Sequence, residues 1–172
     1  QHYKRHGQSG YILKCDIHKY FDSINHAVLK KKLTRVIKDR RILALLDMII
    51  DSYHTVGKEG VGLPLGNQTS QWFAIFYLDR LDRFLKEEKR LLHYSRYMDD
   101  FVMIHQSKQV LRQVWSEIKQ ELEKEKLTLN PKTQLTKLSN GVTYLGFRFS
   151  LSETGKVIRR LRGQSKIRMN KR

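Results

Sequence analysis

A single cysteine, Cys15, leaves no partner for an internal disulfide and no set of thiols for a zinc site, which fits a reducing compartment. Nowhere do apolar residues run to the roughly 18 that a membrane-spanning helix needs. The opening QHYKRHGQSG lacks the apolar core of a signal peptide, so the chain reads as intracellular, cytoplasmic and without a membrane partner. It does not begin with Met, which suggests a longer parent protein. The seven histidines show no metal-ligand spacing. Acidic residues are scarce: 17 Asp and Glu against 34 Lys and Arg leave a net charge of +17. That surplus calls for a polyanionic partner, but nucleic acid, an anionic membrane and an acidic protein would all answer to it.

What is present supports a folded domain. The 172 residues are 40% hydrophobic, and a chain of this length can bury roughly 70% of its unfolded surface. GYILKCDI (10–17) alternates as a strand that places Asp16 near its end, on the face of Ile12 and Lys14. Asp22 and Ser23 then offer helix caps before Val28, Leu29, Leu33, Val36 and Ile37 at helical spacing, and a second helical piece runs from Arg41 to about Tyr53. TVGKEGVGLPLGNQTS (55–70) collects glycines and one of only two prolines, so it must be loop or hairpin. From Ser70 a helix is predicted, with Phe73, Phe76, Leu81, Phe84 and Leu85 inward.

Residues 91–105 read as two strands flanking Met98, Asp99 and Asp100. Ser107 can cap a helix reaching about Lys126, with Val110, Val114, Ile118 and Leu122 four apart. LTLN (127–130) and QLTKLSNGVTYLGFRFS (134–150) alternate as strands, and Asn140-Gly141 signals a hairpin turn within the second of them. From Gly155 the chain is basic without acids, suited to an edge against phosphates. The fold class expected is α+β, an antiparallel sheet packed against helices on one face.

Asp-Asp at a turn is ordinary by itself, since Asp favours turns and is solvated there. If the Asp16 strand and the acidic hairpin are neighbours in one sheet, however, three carboxylates converge and need a divalent cation. Oxygen ligands suit Mg²⁺, and two such ions can clamp both oxygens of an in-line phosphoryl transfer.

Four segments in order carry a resemblance. ILKCDIHKYFDSI resembles the first catalytic motif of the reverse transcriptase palm, GLPLGNQTSQWFAIFYLDRLDRF the second, YMDD the third, and YLGFRF the element that grips the primer. The resemblance covers roughly residues 10–150. It implies an RNA-directed DNA polymerase that uses an RNA template, a DNA primer, dNTP substrates and two Mg²⁺ ions, with Mn²⁺ as a substitute. It makes Asp16, Asp99 and Asp100 catalytic metal ligands, with the Ile17 carbonyl as an extra oxygen. Phe21 matches a bulky gate against ribose 2′-hydroxyls. Leu65, Gly66, Met98 and Lys132 fall at nucleotide-contacting positions, the lysine suited to neutralising departing pyrophosphate. Tyr97, Ser70, Gln71, Tyr144, Leu145, Gly146 and Phe147 fall at primer and template positions.

The second motif departs from the intron-encoded pattern, which has Gln before the glycine and Ser-Pro four residues later. LGNQTSQ is similar instead to the enzymes of diversity-generating retroelements, which make frequent errors at adenines and work with a small basic accessory protein. The implied organisation is a palm over 1–155 with part of the fingers–palm junction, and a basic tail over 156–172 that starts a thumb or is disordered. Full fingers and thumb are expected to be absent, leaving an incomplete and weakly active polymerase. The alternatives are a group II intron or retron enzyme, an inactive palm-like binding module, and another phosphoryl-transfer enzyme such as an RNA polymerase or nucleotide cyclase.

Overall fold

In a computed structural model that describes residues 9–152 and 156–161, the chain divides into two compact units interleaved along the sequence. The first contains residues up to Asp16, Leu85–Glu117 and the chain from Lys132 onward; the second contains Ile17–Phe84 and Ile118–Pro131.

The first unit is built on a four-stranded antiparallel sheet of β1 (Tyr11–Cys15), β2 (Tyr94–Tyr97), β3 (Asp100–His105) and β4 (Gln134–Lys137), in the order β2-β3-β1-β4. An interior strand is covered on both faces, which is why β1 carries adjacent buried apolar residues, Ile12 and Leu13, rather than a clean alternation. Leu13, Cys15, Phe101 and Met103 are fully buried on one face. A second sheet joins β5 (Val142–Tyr144), β6 (Phe147–Leu151) and β7 (Val157–Leu161) in that order. The basic segment after Gly155 therefore begins as an edge strand; its remainder, 162–172, lies outside the described residues.

The second unit is helical: α1 (Tyr20–Ser23), α2 (His26–Val36), α3 (Arg40–Asp51), α4 (Gln68–Tyr77), α5 (Asp79–Arg83) and the later part of α6 (Lys108–Lys124). The cap of α2 is Asn25, whose side chain accepts from Val28 N at 3.1 Å, and not Asp22 or Ser23, which sit in the short α1. Leu29 and Leu33 are buried as expected, but Val36 is 60% exposed. The predicted helix from Ser70 starts earlier, at Gln68, breaks at Leu78 and ends in a π-helical turn, Phe84–Glu88. Loop 55–67 is tied to α1 and to Ile24 just after it by bonds from Gly62 N to Ile24 O, from Leu63 N to Phe21 O and from Thr55 Oγ1 to Asp22 O.

At the centre of this unit lies a buried cation. Lys32, 6% exposed, donates to the Tyr77 carbonyl at 2.6 Å and meets Asp79 at 3.2 Å and Glu125 at 3.0 Å. Its ammonium lies over the Tyr77 ring, 5.3 Å from the centroid, and the Tyr77 hydroxyl donates to the Glu125 carbonyl. Burying an ammonium requires this degree of pairing.

Two further expectations change. LTLN forms no strand, only an isolated bridge from Leu129 to Ile17. Asn140-Gly141 is no hairpin turn: Leu138–Asn140 is a 3₁₀ turn where the chain leaves one sheet for the other. The hairpin turn is Leu145-Gly146, both at positive φ (50° and 79°), between paired Tyr144 and Phe147. Among the described residues, no helix is long and apolar enough to cross a membrane.

Candidate active site

Register assembles the carboxylates. Cys15 pairs with Phe101 across β1 and β3, so the next pair along the ladder sets Asp16 opposite Asp100, on the face shared with Lys14 and Gln134. Asp99 belongs to the two-residue turn between β2 and β3, closed by the pairing of Tyr97 with Asp100. Met98 takes φ 54° at the first turn position, where glycine is usual, and the Arg96 guanidinium donates to its carbonyl at 3.0 Å.

The electrostatics are those of crowded acids. Burial, above all, raises the Asp99 carboxyl over its ordinary range; the Asp16 and Asp100 charges and a hydrogen bond with the Asp16 side chain add to the rise. Burial likewise raises Asp100, opposed by Lys14 and reinforced by Asp16. Lys14 Nζ sits 3.2 Å from Asp100 Oδ2 and donates to the Thr143 carbonyl at 3.0 Å, so it is the built-in counter-charge. Cys15 is buried and its thiol is pushed well up, first by burial and then by Asp100 and Asp16, which leaves it a core side chain and not a nucleophile.

One acceptor is left over. Asp100 Oδ1 is buried without a hydrogen-bond partner, beside two more carboxylates; such an orphan lone pair fits a hard cation. Among the described residues no three acidic, His or Cys side chains are arranged to enclose a metal by themselves. That is compatible with Mg²⁺, which commonly takes one or two carboxylates and completes its octahedron with water and substrate phosphates.

Asp16 and Asp100 open onto a cavity of about 1040 Å³ within the first unit, also lined by Lys14, Lys132, Arg148 and Arg160. Tyr97 is 61% exposed and Leu145 48%, whereas Tyr144 is buried and turns its hydroxyl to the Asp100 carbonyl at 3.4 Å, tying β5 to the acidic turn. Burial is the main cause raising that phenol.

In the second unit, Phe21 is half-buried, edge-on to Tyr20, and Ile17 is buried. Leu65 is 75% exposed, and of Ser70 and Gln71 only Gln71 is accessible. Gly66 has φ +98° and open space around it, so backbone conformation explains the glycine. The motifs did not single out Lys14, Arg148 or Arg160. The alternation that placed Lys14 on the Asp16 face was the available signal for the first; Arg148 fell inside YLGFRF and Arg160 in the basic segment after Gly155, but their pairing across the ladder is not written locally.

The family model described as "Reverse transcriptase (RNA-dependent DNA polymerase)" matches residues 1–149. Among curated relatives, Protein YkfC of Escherichia coli (strain K12) is 27% identical over 80% of this chain and 46% of its own length. The Putative COX1/OXI3 intron 2 protein of Saccharomyces cerevisiae is 29% identical over 45% of this chain and 10% of its own. Among solved structures, apo telomerase from Candida tropicalis, truncated from its C-terminal domain, superposes with a TM-score of 0.70 at 22% identity, covering 92% of this chain and 37% of that one. The chain spans less than half the length of each of these proteins.

Proposed function

The chain belongs to the reverse transcriptase (RNA-dependent DNA polymerase) family, and from that premise we propose that it is the palm of an RNA-directed DNA polymerase, joining dNTPs to a primer 3′-hydroxyl on an RNA template. The observation that carries this reading is the ladder register that sets Asp16 opposite Asp100, beside Asp99, with one buried carboxylate oxygen unpartnered. Asp16, Asp99 and Asp100 would hold Mg²⁺ or Mn²⁺, with the Ile17 carbonyl as a further oxygen. The ions supply Lewis-acid activation of the attacking hydroxyl and neutralise the triphosphate.

The chain's own residues do the positioning. Lys14 offsets the charge of Asp100, and the rigid two-residue turn fixes Asp99 relative to it. Lys132, in the cavity, is suited to meeting the charge of departing pyrophosphate. Phe21 is the gate against a ribose 2′-hydroxyl, and exposed Tyr97 and Leu145 meet the primer end. The test is primer extension on an RNA template by the whole protein. Asp100→Asn should reduce extension to background and abolish Mg²⁺ binding measured calorimetrically, while the circular dichroism spectrum is retained. Undiminished extension would sink the assignment.

Within the family, LGNQTSQ favours the diversity-generating class with its basic accessory protein. Leu65 stands exposed in its loop and, unlike Gln, cannot hydrogen-bond a nucleotide or nearby backbone. Sequencing cDNA made by Leu65→Gln should show fewer errors at adenines; an unchanged spectrum removes this reading. A group II intron enzyme is the second reading, and one relative bears the name of an intron protein.

A further inference from the structure

Two of the seven histidines stack on one another in the helical unit. His26, the first residue of α2, is 3% exposed; His54, between α3 and loop 55–67, is exposed and lies on it with ring centroids 5.3 Å apart and planes at 28°. Both hold the same short piece of chain. His26 Nε2 lies 2.7 Å from the buried Gly62 carbonyl oxygen, and because a carbonyl only accepts, that nitrogen carries the proton and donates it. The His26 backbone N–H donates to the Gly60 carbonyl at 2.9 Å, and the Gly60 N–H donates to His54 Nδ1 at 3.0 Å. The second ring nitrogen of His26, Nδ1, is buried without a hydrogen-bond partner, with Asp51 Oδ1 3.5 Å away. A buried polar nitrogen left so is a cost that an apolar side chain of similar size would not carry, so the imidazole is explained by what Nε2 does.

The gripped glycines lead directly into the loop that ends at Leu65 and Gly66. Leu63, buried between them, donates its N–H to the Phe21 carbonyl at 2.9 Å. One hydrogen-bonded stretch therefore carries the histidine clamp at one end and, at the other, the backbone of Phe21 beside the approach to Leu65 and Gly66. We propose that His26 and His54 are positioning residues for the incoming nucleotide: by gripping Gly60 and Gly62 they fix the Leu65-Gly66 loop against the Phe21 gate and set how strictly a ribose 2′-hydroxyl is refused. The identity of the ligand rests on the polymerase reading, whereas the clamp does not. Both histidines act through the loop backbone.

The test compares variants of the whole protein that keep the ring but lose the hydrogen bond with variants that restore it. His26→Phe retains the stack and removes the donor to Gly62, and His26→Gln returns an amide N–H near the place of Nε2. His54→Phe removes the acceptor for Gly60 at an exposed position, where folding is not at risk, and His54→Asn returns an acceptor oxygen near the place of Nδ1. Loss of one buried neutral hydrogen bond should shift the held loop by roughly 3–10-fold. In primer extension, His26→Phe should raise the KM for dNTP by about that factor with kcat retained, and should reduce the preference for dNTP over rNTP in kcat/KM by a similar roughly 3–10-fold. His54→Phe should move both in the same direction by less, and the Gln and Asn variants should return both toward wild type. Without nucleotide or nucleic acid, deuterium exchange in the peptide covering 55–67 should be faster in both Phe variants.

A fall in kcat at unchanged KM and unchanged sugar preference would mean that the histidines only hold the fold, and overturns the proposal. So does wild-type exchange across 55–67 in both Phe variants, or a failure of the Gln and Asn variants to recover, which would assign the effect to packing. Wild-type protein that never extends a primer, with loop exchange still faster in the Phe variants, would leave the clamp standing and defeat the polymerase reading, and the nucleotide role with it.

Discussion

Replacing Lys32 with Met tests whether the buried cation organises the helical unit. The substitution keeps an unbranched apolar stem but removes the charge that serves the Tyr77 carbonyl, Asp79 and Glu125. The carbonyl, stripped of its donor, costs about 1–3 kcal/mol. Glu125, whose side chain is only 16% exposed, is left a nearly buried charge without its cation, bringing the loss to about 3–5 kcal/mol. For a chain of this length that corresponds to a fall in Tm of roughly 6–20 °C. Urea and thermal melts followed by both circular dichroism and fluorescence would measure it and check that the transition is two-state. Adding Glu125→Gln should recover about 1–2 kcal/mol by removing the stranded charge. Lys30→Met is the contrast: Lys30 meets Asp51 at only 2.6 Å, but the carboxylate is 53% exposed, so the loss should stay below about 1 kcal/mol. If Lys32→Met costs no more than Lys30→Met, or the double variant is no better than the single, burial does not set the worth of this pair.

The acidic turn makes stability depend on pH in a definite direction. Because Asp99 and Asp100 have folded pKa values raised above 3.8, the native state binds more protons than the unfolded chain. Their contribution is therefore most favourable at low pH and is lost as pH rises from about 3.8 through the raised values. In EDTA, the stability of Asp99→Asn relative to wild type should grow across that interval and then level off, and urea midpoints at successive pH values would show it. A flat difference would mean that neither burial nor the neighbouring carboxylates raise Asp99. Among the glycines, Gly141 has φ +69° and a Cβ there would lie 2.5 Å from the Phe149 carbonyl oxygen, so Gly141→Ala should cost about 2 kcal/mol or more. Gly66→Ala meets only the conformational penalty, about 1 kcal/mol; equal midpoints for the two variants would contradict this.

The acidic site was legible because its signals are local: an alternating strand ending in Asp16, and two strands meeting at Asp99 and Asp100. Antiparallel pairing of those strands does the rest. Asn140-Gly141 misled because the dipeptide suits a hairpin, while the chain uses it to change sheets; the true turn puts Leu145 in the left-handed region, a conformation its side chain does not advertise. Helical spacing gave α2 its inward Leu29 and Leu33 but could not tell that Val36 stays exposed, since period marks a face and not where its cover ends. Lys14 was on the page as a face-mate of Asp16, but its role as counter-charge to Asp100 lies in who stands across the ladder, which is tertiary information.

The interleaving of the two units has a consequence for synthesis. β1 is made early, yet its partners β3 and β4 come from the far side of the helical unit; Ile12 pairs with Ile104 and Thr136. At ribosomal rates of about 5–20 residues per second, β1 waits roughly 5–20 s for β3 and longer for β4. During that time a strand apolar on both faces has neither neighbour. The helical unit is likewise incomplete until Ile118–Pro131 emerges. A nascent chain stalled before β3 should therefore be a strong client for a holding chaperone, and one stalled beyond β7 a poor one.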